Sequence, residues 1–85
     1  MKNNLLIKVS DANYIKDYQI ELTFSDGLKS IVDLKDEIWG VVFKPLNNIN
    51  YFKNFSQDRW TIGWECGADF APEYLYELAM NQKEK

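Results

Sequence analysis

"YQIELTFSDGLKSIVDL", residues 18–34, is the stretch on which the fold turns. Tyr18, Ile20, Leu22 and Phe24 alternate with Gln19, Glu21 and Thr23. A period of two puts the first set on one side of a strand and the second on the other. One side is dry and one wet, the pattern of an antiparallel sheet. Asp26-Gly27 follows at once, before the second apolar run, Leu28–Leu34. Gly27 accepts a positive φ without a Cβ clash, so a hairpin is expected, with Asp26 and Gly27 as turn residues.

Working outward, "LLIKVSDANY" (5–14) predicts a preceding strand in which Leu5, Ile7 and Val9 share a face. "DLKDEIWG" (33–40) predicts a short helical turn. Asp33 is its candidate cap, Asp36 and Glu37 suit its positive end, and Gly40 is a stop. "LNNINYFKNF" (46–55) predicts a short mid-chain helix capped by Asn47 or Asn48. "FSQDRWTIGWE" (55–65) predicts a turn and a further strand, with Trp60, Ile62 and Trp64 on its apolar face. "PEYLYELAMN" (72–81) predicts the main helix. Pro72 fits its first position, where the missing N–H costs nothing. Ala71, Tyr74, Leu75, Leu78 and Ala79 form its apolar stripe.

The expected architecture is α+β: an antiparallel sheet of four to five strands, a short mid-chain helix and a C-terminal helix packed on the sheet. Residues 1–81 form a single domain and 82–85 a frayed tail. The expected core is Ile7, Val9, Ile20, Leu22, Phe24, Val32, Trp60, Ile62, Trp64, Leu75 and Leu78. An 85-residue chain is one domain with a small core, and its aromatic content of 15% argues against disorder.

Composition also narrows function. The net charge is −3, the lysines are scattered, and Arg59 is the only arginine. Nucleic-acid modules carry a basic surplus or stripe, so DNA binding by the isolated domain is not expected. A single cysteine cannot form an internal disulfide, and the short apolar cluster in residues 1–14 is expected to be too short for a signal peptide or a membrane span. The expected location is the cytoplasm.

The chain has no histidine. That removes Ser-His-Asp and Cys-His constellations, the common zinc sites and the usual general base near neutral pH. No phosphate-binding glycine loop and no calcium loop is present. No catalytic residue, cofactor or metal ligand is therefore assigned. Two enzymatic alternatives stand beside that assignment: Cys66 as a nucleophile near a helix start, and Asp69 with Glu73 as an acid/base pair. For the carboxylates a structural role is favoured, since acids near a first helical turn accept from free N–H groups and oppose the dipole. Ala71 offers no side-chain acceptor, so Asp69 is expected to cap from two residues earlier. Trp39, Val41 and Phe43 lie in a loop-like region and are the candidate partner contact.

"FSDG" (24–27), "VDL" (32–34) and "WECGADFAPEYLY" (64–76) together resemble a family of small bacterial domains of unknown function, DUF2442, across roughly residues 5–77. The chain has Cys66 where the family usually has Asn or a similar polar residue, and Ala71 where Ser is common. The resemblance implies a compact α+β domain. Some relatives carry a helix-turn-helix; others resemble one half of a toxin–antitoxin pair. The resulting expectation is a protein-interaction or regulatory module with another protein as partner, possible antitoxin-like character, no cofactor and no membrane. The alternatives are a DNA-associated regulator acting through a partner or dimer, and a small enzyme using Cys66 or Asp69/Glu73. A homodimer through an uncovered sheet edge is also open.

Overall fold

The computed structural model describes residues 7–57 and 61–83. Leu5, Arg59, Trp60 and the last two residues of the expected tail lie outside them. The elements are β1 (Val9–Lys16), β2 (Gln19–Phe24), β3 (Lys29–Asp33), α1 (Ile49–Phe52), β4 (Ser56–Gln57), β5 (Ile62–Gly63) and α2 (Pro72–Lys83). Two 3-10 segments, Lys35–Glu37 and Val41–Asn47, lie between β3 and α1.

The class is α+β, but the strands do not form one sheet of four or five. β1, β2 and β3 make a three-stranded antiparallel meander, and β4 and β5 a separate two-stranded ladder. The chain leaves β3 through two short 3-10 turns and α1, which carry it across the dry face before it extends again.

Ile20, Leu22 and Phe24 are buried along β2, as their alternation requires. β1 contains a correction to simple alternation. Val9 opposes Phe24, yet Asp11 opposes Thr23, so Ser10 is an extra residue. Such a bulge changes the parity of the strand. Val9 before it and Ala12 and Tyr14 after it then share the dry side. The Ser10 hydroxyl donates to the Thr23 carbonyl at 3.0 Å. Asp17, between β1 and β2, takes φ 50°, a left-handed conformation that Asp tolerates better than most residues.

Two turns share one construction. In Phe24–Leu28, Gly27 N–H donates to the Phe24 carbonyl and Phe24 N–H to the Leu28 carbonyl. In Trp64–Ala68, Gly67 N–H donates to the Trp64 carbonyl and Trp64 N–H to the Ala68 carbonyl. Gly27 and Gly67 sit at φ 96° and 99°. Each is a three-residue hairpin loop closed by a left-handed glycine. Gly63 pairs with Asp69 just beyond the second loop. A Cβ on Gly63 would stand 3.2 Å from the Ala68 carbonyl oxygen, close enough that the paired backbone would have to give by a few tenths of an ångström.

The core lies between the dry side of the meander and a layer made of α2, α1 and β5. Ile20, Leu22, Phe24 and Val32 meet Leu46, Phe52, Ile62, Trp64, Phe70, Leu75 and Ala79. Leu34, Ile38, Leu46, Phe52, Ala68, Phe70 and Ala79 are buried beyond the sequence expectation, while Ile7 and Leu78 are only partly buried. Apart from Ala79, which lies on the α2 stripe, the extra residues come from turns and short helices, where neither period two nor period 3.6 applies.

α2 starts at Pro72, and the Ala71 carbonyl accepts from the Tyr74 and Leu75 amides at 3.0 and 3.1 Å. The helix runs past Asn81 to Lys83, so the expected frayed segment 82–85 begins too early. Gln82 explains the extension. Its Oε1 accepts from Asp33 N–H at 2.8 Å, and its Nε2 donates to the Asp33 carbonyl at 3.1 Å. The hydrogen-bonded pairs of β2 and β3 fall on even residues, with Leu34 N–H reaching the Tyr18 carbonyl and Phe24 N–H the Leu28 carbonyl. Asp33 therefore turns its N–H and C=O outward. The Gln82 amide occupies part of an otherwise open sheet edge. Gln82→Ala is expected to lower stability by about 0.5–1.5 kcal/mol, read from the urea midpoint. An unchanged midpoint would mean that water replaces the clasp at no cost.

Candidate functional site

The segment 34–47 gives the molecule its most distinctive surface. Leu34, Ile38 and Leu46 are buried and pin it to the core. Asp33 Oδ1 accepts from Lys35 N–H at 3.0 Å, which starts the first 3-10 turn. Gly40, at φ 96°, reverses the chain into the second. In a 3-10 helix residues three apart eclipse, so Phe43 and Leu46 share the inward side and Val41 and Val42 are turned out. Phe43 stacks on Phe70 with ring centres 5.0 Å apart. The Tyr18 hydroxyl fastens the far end by donating to the Asn47 carbonyl at 2.7 Å.

Trp39, Val41 and Val42 are left 76%, 90% and 50% exposed. Exposed single hydrophobics are ordinary, but a tryptophan and two valines exposed within four residues of an anchored segment make an apolar patch. Of the three candidate contact residues, Trp39 and Val41 lie in this patch. Phe43 is half-buried beneath it. Val42, which the sequence reading did not single out, is exposed beside them. Tyr74, 41% exposed, extends the apolar surface through α2, since its ring stacks on Phe70.

The 64–68 turn borders the same surface. The Cys66 thiol lies 3.7 Å from the Val42 carbonyl oxygen, at the limit for a weak S–H donor. The thiol beside Tyr51 raises that phenol above its ordinary value, and Glu65 adds to the effect. Cys66 occupies the same turn position as Asp26 in the first hairpin. This is a place where small polar residues form local hydrogen bonds. Asp26 does so directly: its Oδ1 accepts from Leu28 N–H at 3.0 Å and its Oδ2 from the Tyr76 hydroxyl at 2.6 Å.

Asp69 pairs through its backbone with Gly63 and lines an open groove of about 480 Å³ with Asn54, Gln57, Thr61 and Glu65. Glu73 is not among the residues lining that groove. Among the described residues, no hydrogen bond runs from the Asp69 carboxylate to the first amides of α2. No group of three or more Cys, Asp or Glu side chains among them is placed to hold a metal ion. No helix among them is long and apolar enough to cross a membrane.

Two phenol–carboxylate pairs tie α2 to the rest of the molecule: Tyr76 to Asp26, and Tyr74 to Glu37. Each phenol is raised above its ordinary value, first by donating to the carboxylate, then by desolvation and the acid's charge. A raised folded value means that the neutral phenol is favoured by folding. The associated stability is complete below about pH 10, the unfolded value, and is lost as pH climbs through the folded value. Urea midpoints measured from pH 8 to 11 should fall, and Tyr76→Phe should flatten part of that fall. Identical slopes in the two proteins would remove Tyr76 as a cause.

The fold and surface define a small α+β protein with exposed apolar residues on a segment anchored in its core. The chain matches the model of the family described as Protein of unknown function (DUF2442) over residues 9–81, and it belongs to that family. No curated protein matches it, and no solved structure does.

Proposed function

We propose that the protein is a protein-interaction module whose contact surface is Trp39, Val41 and Val42, with Tyr74 at its margin. The supporting observation is that bulky apolar side chains project outward from a segment that Leu34, Ile38 and Leu46 anchor in the core. An apolar surface held on a fixed base loses little conformational entropy on binding. Tryptophan is a favoured anchor in such contacts. Binding rather than catalysis also fits a chain without histidine, whose thiol sits in a turn and whose Asp69 lines a groove that Glu73 does not share. A regulatory, antitoxin-like role in the cytoplasm accords with the family resemblance and the single thiol.

The test is recovery of a stoichiometric partner from the native host by the tagged protein and by a Trp39→Ala/Val41→Ser variant. The changes fall on exposed side chains, so folding stability should move by less than about 0.5 kcal/mol. The wild type should retain a partner that the variant loses by tenfold or more. Equal recovery by both, or no stoichiometric protein with either, would overturn the proposal.

A further inference from the structure

Resting on the patch as a binding surface, we infer that its occupant is a basic segment of another protein, bearing Lys or Arg beside one or two bulky apolar anchors. The warrant is the charge that surrounds the patch. Asp36 and Glu37 directly precede it, held at the surface by the buried Ile38 that follows them. Glu65 is exposed at the tip of the turn whose next residue, Cys66, meets Val42. Glu37 takes the Tyr74 phenol, and the charge of Glu77 also reaches that phenol, so both acids stand beside the α2 margin. Four carboxylates thus flank the apolar surface. Two lysines, Lys35 and Lys44, lie within the segment, and Lys35 lines a cleft with Asp17, Tyr18 and Asp33.

This arrangement suits cationic side chains that are apolar along most of their length. Lys and Arg lay their methylene stems on apolar surface and keep their charged ends among acids. An Arg guanidinium can also stack on the exposed Trp39 indole. The same carboxylates repel nucleic acid and anionic membranes and steer a basic partner during approach.

The experiment is selection of a random displayed peptide library on the intact protein, followed by binding measurements on the enriched peptides. Enriched sequences should carry net positive charge with at least one bulky apolar residue. Their affinity should fall tenfold or more on Trp39→Ala and severalfold on Asp36→Lys/Glu65→Lys. It should also fall severalfold between about 50 and about 300 mM salt. Peptides that require Trp39 but show no positive bias and no salt dependence would overturn this inference and leave the patch standing. Peptides indifferent to Trp39, or no enrichment, would overturn both. Light scattering covers the remaining occupant. A dimer that becomes a monomer on Trp39→Ala would assign the patch to a second copy and overturn the inference.

Discussion

Trp64→Ala is expected to destabilise the protein by about 3–5 kcal/mol, the usual cost of emptying an aromatic core site. A domain of this length has roughly 4–13 kcal/mol in all, so the variant should be marginal or unfolded near room temperature. The buried indole joins the elements that cover the meander. It stacks on Phe52 with ring centres 5.6 Å apart and meets Phe55 and Phe70 edge-on at 6.4 and 6.0 Å. Its Nε1 donates to the Phe52 carbonyl at 2.8 Å, in the last turn of α1, where a helix leaves carbonyls without partners. Trp64→Phe separates the two contributions. It keeps a ring but leaves a buried carbonyl unsatisfied, for about 1–3 kcal/mol. Urea unfolding followed by circular dichroism would measure both. An alanine variant within 1 kcal/mol of wild type would show that the aromatic cluster does not hold the two layers together.

Leu75→Ala is expected to cost about 2–5 kcal/mol, and Leu78→Ala clearly less. Both leucines lie on the helical stripe read from the sequence, but only Leu75 is fully buried. α2 inserts little else into the core: Ala79 is its other buried apolar residue. Around them Leu78 is partly buried, the Tyr74 ring stacks on Phe70 and the Tyr76 ring meets Phe24 edge-on, while Tyr74, Tyr76 and Gln82 add polar ties. Removing Leu75 should therefore loosen the whole helix. Hydrogen exchange should show α2 amides losing protection before those of β2. Equal losses for the two leucine variants would mean that the helix is rotated relative to the placement described here.

Local chemistry made much of the fold legible. β2 and its hairpin follow from alternation and Asp-Gly, and α2 from Pro72 and a 3.6-residue stripe. Asn48 was one of two candidate caps for α1, and its side chain accepts from Asn50 N–H at 2.9 Å. Other features resisted for identifiable reasons. Bulged Ser10 shifts the parity of β1, which a fixed period does not register. The second hairpin was recognisable in principle, because Trp-Glu-Cys-Gly repeats the spacing of Phe-Ser-Asp-Gly. Cys66 in place of a usual turn residue concealed it. The apolar patch was legible only as a region. Its inward and outward residues depend on three residues per turn, a period too brief to show in a seven-residue segment.

The amino-acid order alone was enough to establish the meander, its dry side, the principal helix and the absence of histidine chemistry. Those follow from side-chain type and short-range spacing, to which backbone conformation responds directly. The division into two sheets, the Gln82–Asp33 clasp and the exposure of Trp39 beside buried Ile38 arose from packing between segments far apart in the chain. Which hydrophobic groups are covered depends on what lies against them in space, and local periodicity carries no record of that.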